Sequence, residues 1–334
     1  MDLPRITVVV PLYNEERYIA TCLDSILATD YPKEKMEVLL IDGMSEDATR
    51  EIAEEYHRKF PFIRLIDNPR RIVPVAMNLG IAEATGEYLI RLDAHAEYPT
   101  DYFRKLIEWH RSLGADNVGA VIETRVRKET PVAHAIRNVL SDKLGVGSAF
   151  RTGVGRPVEA DTVPFGCYRM EMLRRLGGYD ERLIRNQDIE LNKRLIRQGG
   201  KVFLVPEIKA VYYAREDFAS LAKNNFENGK WNLLTAYYTG TFRSLSPRHF
   251  APLALILGIV LPLPCCAAVS LAVAGIYAAA IFLRSLRIAR KTDPFTQMAA
   301  FAVLHFSYGI GELAGIMEVL KLMITKKRKK SHEK

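Results

Sequence analysis

The chain has 334 residues, 49% of them apolar and 26% charged, and carries a formal net charge of +8. That length exceeds one average domain, and the balance of apolar and charged residues excludes a disordered or fibrous protein. The positive charge is concentrated in two clusters beside apolar segments, Arg284/Arg287/Arg290/Lys291 and residues 326–330, a pattern that points to anionic lipid and away from nucleic acid.

Cys22, Cys167, Cys265 and Cys266 show neither zinc spacing nor a disulfide framework, which suits a reducing compartment. The last two, adjacent in an apolar stretch, read as small packing residues. The opening MDLPRITVVVPL has too short an apolar run for a signal peptide, so the soluble part is expected in the cytoplasm.

In chain order, Ile6–Val10 is a β-branched run typical of a strand buried on both faces. Asn14 is placed to cap a following helix, whose Ile19, Cys22, Leu23 and Ile26 fall on one face. Val38–Ile41 reads as a second strand, with a helix starting at Asp47, and Ile63–Ile66 as a third. A helix over 74–84 leads to a fourth strand, Tyr88–Leu92. Alternating strand and helix of this kind gives a mostly parallel sheet covered on both faces, with ligands at the carboxyl ends of the strands. Pro11, Asp42, Asn68 and Asp93 stand at those ends.

Beyond residue 100 the pattern predicts helices at 101–112 and 131–143 and strands at 118–126 and 201–205. Gly145, Gly147, Gly153 and Gly155 mark one flexible loop. Residues 251–283 form a run of 33 residues without a charge, enough to cross a bilayer. Pro262 and Pro264 interrupt it, predicting a kinked helix or a tight hairpin. A second apolar segment, Phe295–Met323, carries His305, Glu312 and Glu318, which should face protein, water or headgroups. A hairpin followed by a re-entrant second segment keeps both basic clusters on the cytoplasmic side. The division expected is a catalytic domain over 1–240 and a membrane-embedded helical region with a basic tail over 241–334.

The chemistry lies in a series of motifs. Pro11-Leu12-Tyr13-Asn14-Glu15-Glu16 follows the first strand and Ile41-Asp42-Gly43 closes the second. Met77-Asn78-Leu79-Gly80 comes next, and Arg91-Leu92-Asp93-Ala94-His95 closes the fourth strand. Asp93 and His95 are suited to a divalent ion that neutralises a diphosphate. Further on stand Pro164-Phe165-Gly166-Cys167, Gly177-Gly178-Tyr179-Asp180 and Asn186-Gln187-Asp188-Ile189-Glu190.

In order and spacing these motifs resemble the inverting family-two glycosyltransferases of GT-A fold, in particular membrane-associated succinoglycan-type members. The resemblance covers about residues 4–240. It implies an α/β GT-A domain plus C-terminal transmembrane or re-entrant helices, and a nucleotide-sugar donor, most often UDP-linked. Pro11, Tyr13, Asn14, Glu15, Asp42, Asn78 and Asp93 would line the donor pocket, with Asp42 at the base. Asp93 and His95 would hold Mn2+ or Mg2+, His95 replacing the second aspartate of the usual motif. Asp188 would be the catalytic base, with Gln187 in place of the usual glutamate. Gly166 and Cys167, with Lys230 and Trp231, would meet a lipid-linked or growing glycan acceptor. Packing is an equal reading for Trp231. Lys230-Trp231 keeps only part of the processive signature, which implies addition of one or a few sugars. Two other classes fit the motifs less well. A nucleotidyltransferase needs an early Gly-rich phosphate loop and Lys, absent here, and a sugar-sensing membrane scaffold has no need of both Asp93 and Asp188.

Overall fold

The structure is a computed structural model that describes residues 2–242 and 245–332, with side chains described as far as Thr325. Side chains of the basic tail from 326 onward therefore lie outside the described residues. The chain forms two compact units, Met1–Arg125 with Ser148–Tyr213, and Val126–Gly147 with Ala214–Lys334. The break thus falls at 213/214 and leaves 126–147 with the C-terminal part, whereas the sequence suggested a single boundary at 240/241.

The first unit contains β1 (Ile6–Leu12), α1 (Ile19–Leu27), β2 (Met36–Asp42), α2 (Thr49–Lys59), β3 (Ile63–Asp67), α3 (Val73–Glu83), β4 (Tyr88–Arg91) and β5 (Ala96–Glu97). Next come α4 (Tyr102–Leu113) and β6 (Asn117–Arg125). The second unit contributes α5 (Pro131–Leu140). Back in the first are α6 (Ala149–Thr152), β7 (Val158–Glu159), β8 (Cys167–Arg169), α7 (Met170–Leu176), α8 (Gln187–Arg197) and β9 (Val202–Tyr213). The second unit continues with α9 (Phe218–Thr239), α10 (Ala251–Val260), α11 (Ala267–Ile288) and α12 (Pro294–His332).

One mixed sheet orders its strands β3-β2-β1-β4-β8-β6-β9-β5, with β7 also on β9. β1, β2, β3 and β4 run parallel, as do β6 and β9, while β8, β5 and β7 are antiparallel to their neighbours. The parallel half reads as expected: every residue of β2 is buried, because α-helices cover both faces. Ile19, Cys22, Leu23 and Ile26 are the buried face of α1. The register of β6 on β9 jumps between Ala120 and Val121, passing over 206–208, which begin with Pro206, a residue with no N–H to give the ladder.

Two helix starts differ from the sequence reading. Asn14 caps no helix; it takes a left-handed conformation, φ 54°, and α1 begins after Tyr18. Asp47 precedes α2, which begins at Thr49, and its Oδ1 accepts the Thr49 N–H at 3.0 Å. The expected glycine loop is also divided. Gly145 and Gly147 lie in the turn after α5, where a side chain on Gly145 would strike the Val139 carbonyl; Gly153 and Gly155 follow α6.

In the second unit α9 packs along α12, closely enough that an added Cβ on Gly229 or Gly311 would strike the opposing backbone at Tyr308 or Phe226. Ala135, Ile136, Val139, Leu221, Ile281, Phe301 and Leu304 form its core. The uncharged run is broken at Pro262 and Pro264 into α10 and α11, while α12 continues without interruption where a re-entrant bend was expected. Cys265 and Cys266 are exposed at that break and make no core packing. Two of the ionisable groups of α12 meet other elements: His305 is hydrogen-bonded to the Leu144 carbonyl at 2.9 Å and to Tyr277 at 3.0 Å, and fully buried Glu312 accepts from Asn232 at 3.3 Å; Glu318 is half-exposed and pairs with Lys321 on its own helix. Two helices, Ala267–Ile288 and 294–325, are long and apolar enough to cross a membrane.

Candidate active site

The loops after β1 and β2 are joined by side chains that take over unpaired backbone N–H groups. The Asn14 N–H donates to Ser45 Oγ (3.1 Å) and the Glu46 N–H to Asn14 Oδ1 (2.9 Å). The Glu15 N–H donates to Thr49 Oγ1 (2.6 Å), the Glu16 N–H to Asp47 Oδ2 (3.2 Å), and the Ala48 N–H to Glu16 Oε2 (3.2 Å). Between these loops and the ends of β3 and β4 lies a cleft of about 210 Å3. Pro11, Tyr13, Glu15, Asp93 and His95 line it, together with Gly43, Asn68, Arg71 and Arg91. Tyr13 is 45% exposed, with the Arg71 guanidinium 6.0 Å from its ring centroid. An added Cβ on Gly43 would stand 3.1 Å from the Leu12 carbonyl, so the backbone approaches closely there.

Arg91 joins the two halves of the site. Its Nη2 is 3.3 Å from Asp93 Oδ1 and its Nη1 is 3.8 Å from Asp188 Oδ2. Burial works against its charge, but Asp93 and Asp188 outweigh that and raise its pKa. Asp188 sits in the first turn of α8, where the helix dipole favours a carboxylate. Neighbouring Gln187 is buried, so its neutral amide avoids placing a second charge under cover beside Asp188. Glu190 is engaged by Arg194 (2.7 Å) and is not an alternative base.

His95 Nδ1 lies 3.0 Å from Glu15 Oε1, and its ring meets Tyr212 edge-on at 5.0 Å. Burial disfavours its charge, yet Tyr212, Glu15 and Asp93 outweigh it and push the pKa up to about 10. Carboxylate and imidazole are donor types that fit Mn2+, and both line the cleft. No third His, Cys, Asp or Glu joins them among the described residues, so an ion there needs substrate oxygens as well.

Several expected site residues have other work. Asp42 is fully buried; it accepts from Ser45 Oγ (2.6 Å) and Arg50 Nη1 (3.2 Å), so its carboxylate braces the loop and offers nothing to a base. Asn14 likewise links loops, as above, and does not line the cleft. Asn78 pairs with both the N–H (2.8 Å) and the carbonyl (2.9 Å) of Tyr179, clamping the turn ahead of α8 instead of lining the cleft. Cys167 is wholly buried in the core and cannot meet an acceptor. The Gly166 carbonyl accepts the Arg91 N–H at 3.0 Å, and its lack of a side chain makes room for Asn117. Trp231 and Lys230 lie on α9 in the second unit, where Trp231 is buried and stacked on Tyr238, which favours the packing reading. Asn68 was placed by sequence only at a ligand-binding strand end, and Arg71 and Arg91 received no donor-site role; the signal for Arg91 was its place two residues before Asp93.

The glycosyl transferase family 2 profile matches residues 7–176, half of the chain. Over 318 residues the chain is 32% identical to the succinoglycan biosynthesis protein ExoA of Rhizobium meliloti, covering 91% of this chain and 92% of that one. It is 31% identical, over 67% of its own length and 71% of the relative's, to a dolichyl N-acetyl-α-D-glucosaminyl phosphate 3-β-D-2,3-diacetamido-2,3-dideoxy-β-D-glucuronosyltransferase of Methanococcus voltae. Among solved structures, the mannosyltransferase PcManGT of Pyrobaculum calidifontis, in complex with GDP-Man and Mn2+, superposes with a TM-score of 0.61. That match covers 93% of this chain and 87% of PcManGT at 21% identity, and supports the GT-A fold. With a strand-end cleft of the GT-A kind and a family match that runs from β1 to the end of α7, the chain belongs to glycosyl transferase family 2.

Proposed function

We propose that this glycosyltransferase moves one sugar, with inversion, from a nucleotide-diphosphate sugar to a lipid-linked or growing glycan acceptor. The reaction takes place at the cytoplasmic face of the inner or plasma membrane, in polysaccharide or glycolipid synthesis. The observation that carries this reading is Arg91 holding Asp93, in the cleft, and Asp188, on α8, to one guanidinium. Inversion requires a carboxylate to take the acceptor proton opposite the departing diphosphate. Asp188 is that base: its carboxylate accepts the hydroxyl proton while the oxygen attacks the sugar C1 and the bond from C1 to the diphosphate breaks. Tyr13 offers an exposed face for the nucleobase, and Gly43 lets the nucleoside close on the backbone. Asn68 Oδ1, buried and without a partner among the described residues, is an acceptor available to a base N–H. Asp93 and His95 would hold Mn2+ or Mg2+, which supplies charge neutralisation of the leaving diphosphate when bound.

UDP-sugars are the first donors to try and GDP-sugars the second. The isoprenoid acceptor class is supported by the dolichyl-linked substrate named for the Methanococcus voltae relative and by the two apolar helices. Catalysis is assigned to the first unit and membrane anchorage to the second. The test is release of nucleoside diphosphate by full-length protein in detergent, with a panel of UDP- and GDP-sugars, a membrane lipid extract, and Mn2+ or EDTA. Turnover should need the ion, and Asp188→Asn should lower kcat by roughly 100-fold or more. Unchanged turnover in Asp188→Asn would sink the mechanism.

A further inference from the structure

We infer that Glu15 is a positioning residue for His95, holding the imidazole so that its far nitrogen is presented to the metal. This inference rests on the proposal that Asp93 and His95 hold a divalent ion. Glu15 stands in the strand-end motif that sequence places in the nucleotide pocket, but its carboxylate is turned to another partner: Oε1 is 3.0 Å from His95 Nδ1. A ligating histidine generally gives its second ring N–H to a carboxylate or carbonyl, which fixes the tautomer and the ring plane and strengthens the ligand. With Nδ1 committed to Glu15, only Nε2 is left for an ion.

Other contacts show that the arrangement is built into the fold. Tyr212 and Tyr18 meet the His95 ring edge-on, at 5.0 Å and 6.4 Å with interplanar angles of 72° and 70°. The His95 carbonyl accepts the Tyr213 N–H at 3.2 Å, which ties the motif to β9. Glu15 is fixed from behind: its N–H is bonded to Thr49 Oγ1, and its carbonyl accepts from Tyr18 and Ile19, both at 2.9 Å, at the start of α1. The carboxylate and imidazole, 80 residues apart, are thus each anchored by their own loop before they meet. This also accounts for a histidine in the second ligand place. An aspartate there would have no ring N–H to give and would face Glu15 as a second negative charge.

Mn2+ affinity of the full-length protein in detergent, measured by calorimetry and by the Mn2+ electron paramagnetic resonance signal with and without UDP or GDP, tests this. Glu15→Gln, which keeps the shape but not the charge, should weaken Mn2+ binding roughly 10- to 100-fold at an unchanged Tm in EDTA. Glu15→Ala should weaken it further. In a His95→Asp background, where no ring needs orienting, Glu15→Gln should cost nothing or improve affinity. Wild-type affinity in Glu15→Gln overturns the inference while leaving the metal site standing. An equal loss in the His95→Asp background also overturns it, because Glu15 would then act on the ion directly. Absence of Mn2+ binding to the wild type with either nucleotide overturns the metal reading and this inference together.

Discussion

Arg91 is only 15% exposed at its side chain and is the counterion that Asp93 and Asp188 share. Replacing it with methionine leaves Asp93 and Asp188 without their shared counterion. Because both carboxylates keep some solvent, the loss should be about 2 kcal/mol, below that for a fully buried pair. Thermal melting of Arg91→Met in EDTA should show that loss, and Mn2+ should restore part of it by taking over the missing charge. The sequence pointed to Asp93, His95 and Asp188 because their chemistry is local to short motifs. It did not point to Arg91 as their link, since that role exists only once α8 has been brought beside β4. Asp42 shows the converse: its strand-end position was legible, but not that Ser45 and Arg50 cover its carboxylate. A second residue-scale prediction concerns His110 on α4, which is fully buried with its pKa lowered to about 4, by burial first and then by Arg169. An unfolded histidine titrates near 6.5, so the neutral ring favours folding fully above that pH. The benefit is lost as pH falls from about 6.5 to 4, by up to roughly 3 kcal/mol. His110→Phe, which keeps a ring against Tyr88, should flatten the curve of Tm against pH over that window.

Among elements, the strands and helices of the parallel half were readable because burial on both faces leaves unbroken β-branched runs and single-faced helices. Less readable were the starts of α1 and α2, because Asn14 and Glu16 bond to a neighbouring loop, and Asp47 divides its carboxylate between that loop and Thr49. The membership of α9 was hidden too, since its partner α12 lies some seventy residues onward and the fit depends on glycines at the contact. Gly311→Val would push the Phe226 carbonyl away and part α9 from α12. We expect a loss of about 2–3 kcal/mol, seen as a lower melting temperature in detergent and faster proteolysis within 218–239. Gly275→Val on α11, where an added Cβ has nothing within 4 Å, is the control and should leave both unchanged.

For the whole molecule the decisive length is that of the apolar helix Pro247–Val260, which contains α10 and rises about 21 Å, short of a bilayer core of roughly 30 Å. α10 therefore cannot cross alone. After the Pro262–Pro264 break the chain turns back, with Gly258 beside Val273. We propose that this hairpin dips into the membrane and returns, which would leave Arg284, Arg287, Arg290 and Lys291 on the side of entry, in keeping with the preference of basic residues for the cytoplasmic side. Arg284 pairs with Asp142 just after α5, which ties the end of α11 to that segment. In intact cells a membrane-impermeant maleimide should fail to label Cys265 and Cys266, whereas a permeant one should reach them. Labelling from outside would mean that the segment crosses completely.

The distribution of thiols gives the native chain a built-in reporter. Cys22 and Cys167 are sealed in the core of the first unit, while Cys265 and Cys266 are open at the turn of the second. A single alkylating reagent, read out by mass, should add two adducts to the folded protein in detergent and four after denaturation. In lipid vesicles the count with a membrane-impermeant reagent should fall toward zero as the turn is taken up. Integrity of the catalytic core and insertion of the anchor can therefore be followed separately, on unaltered protein, from one titration.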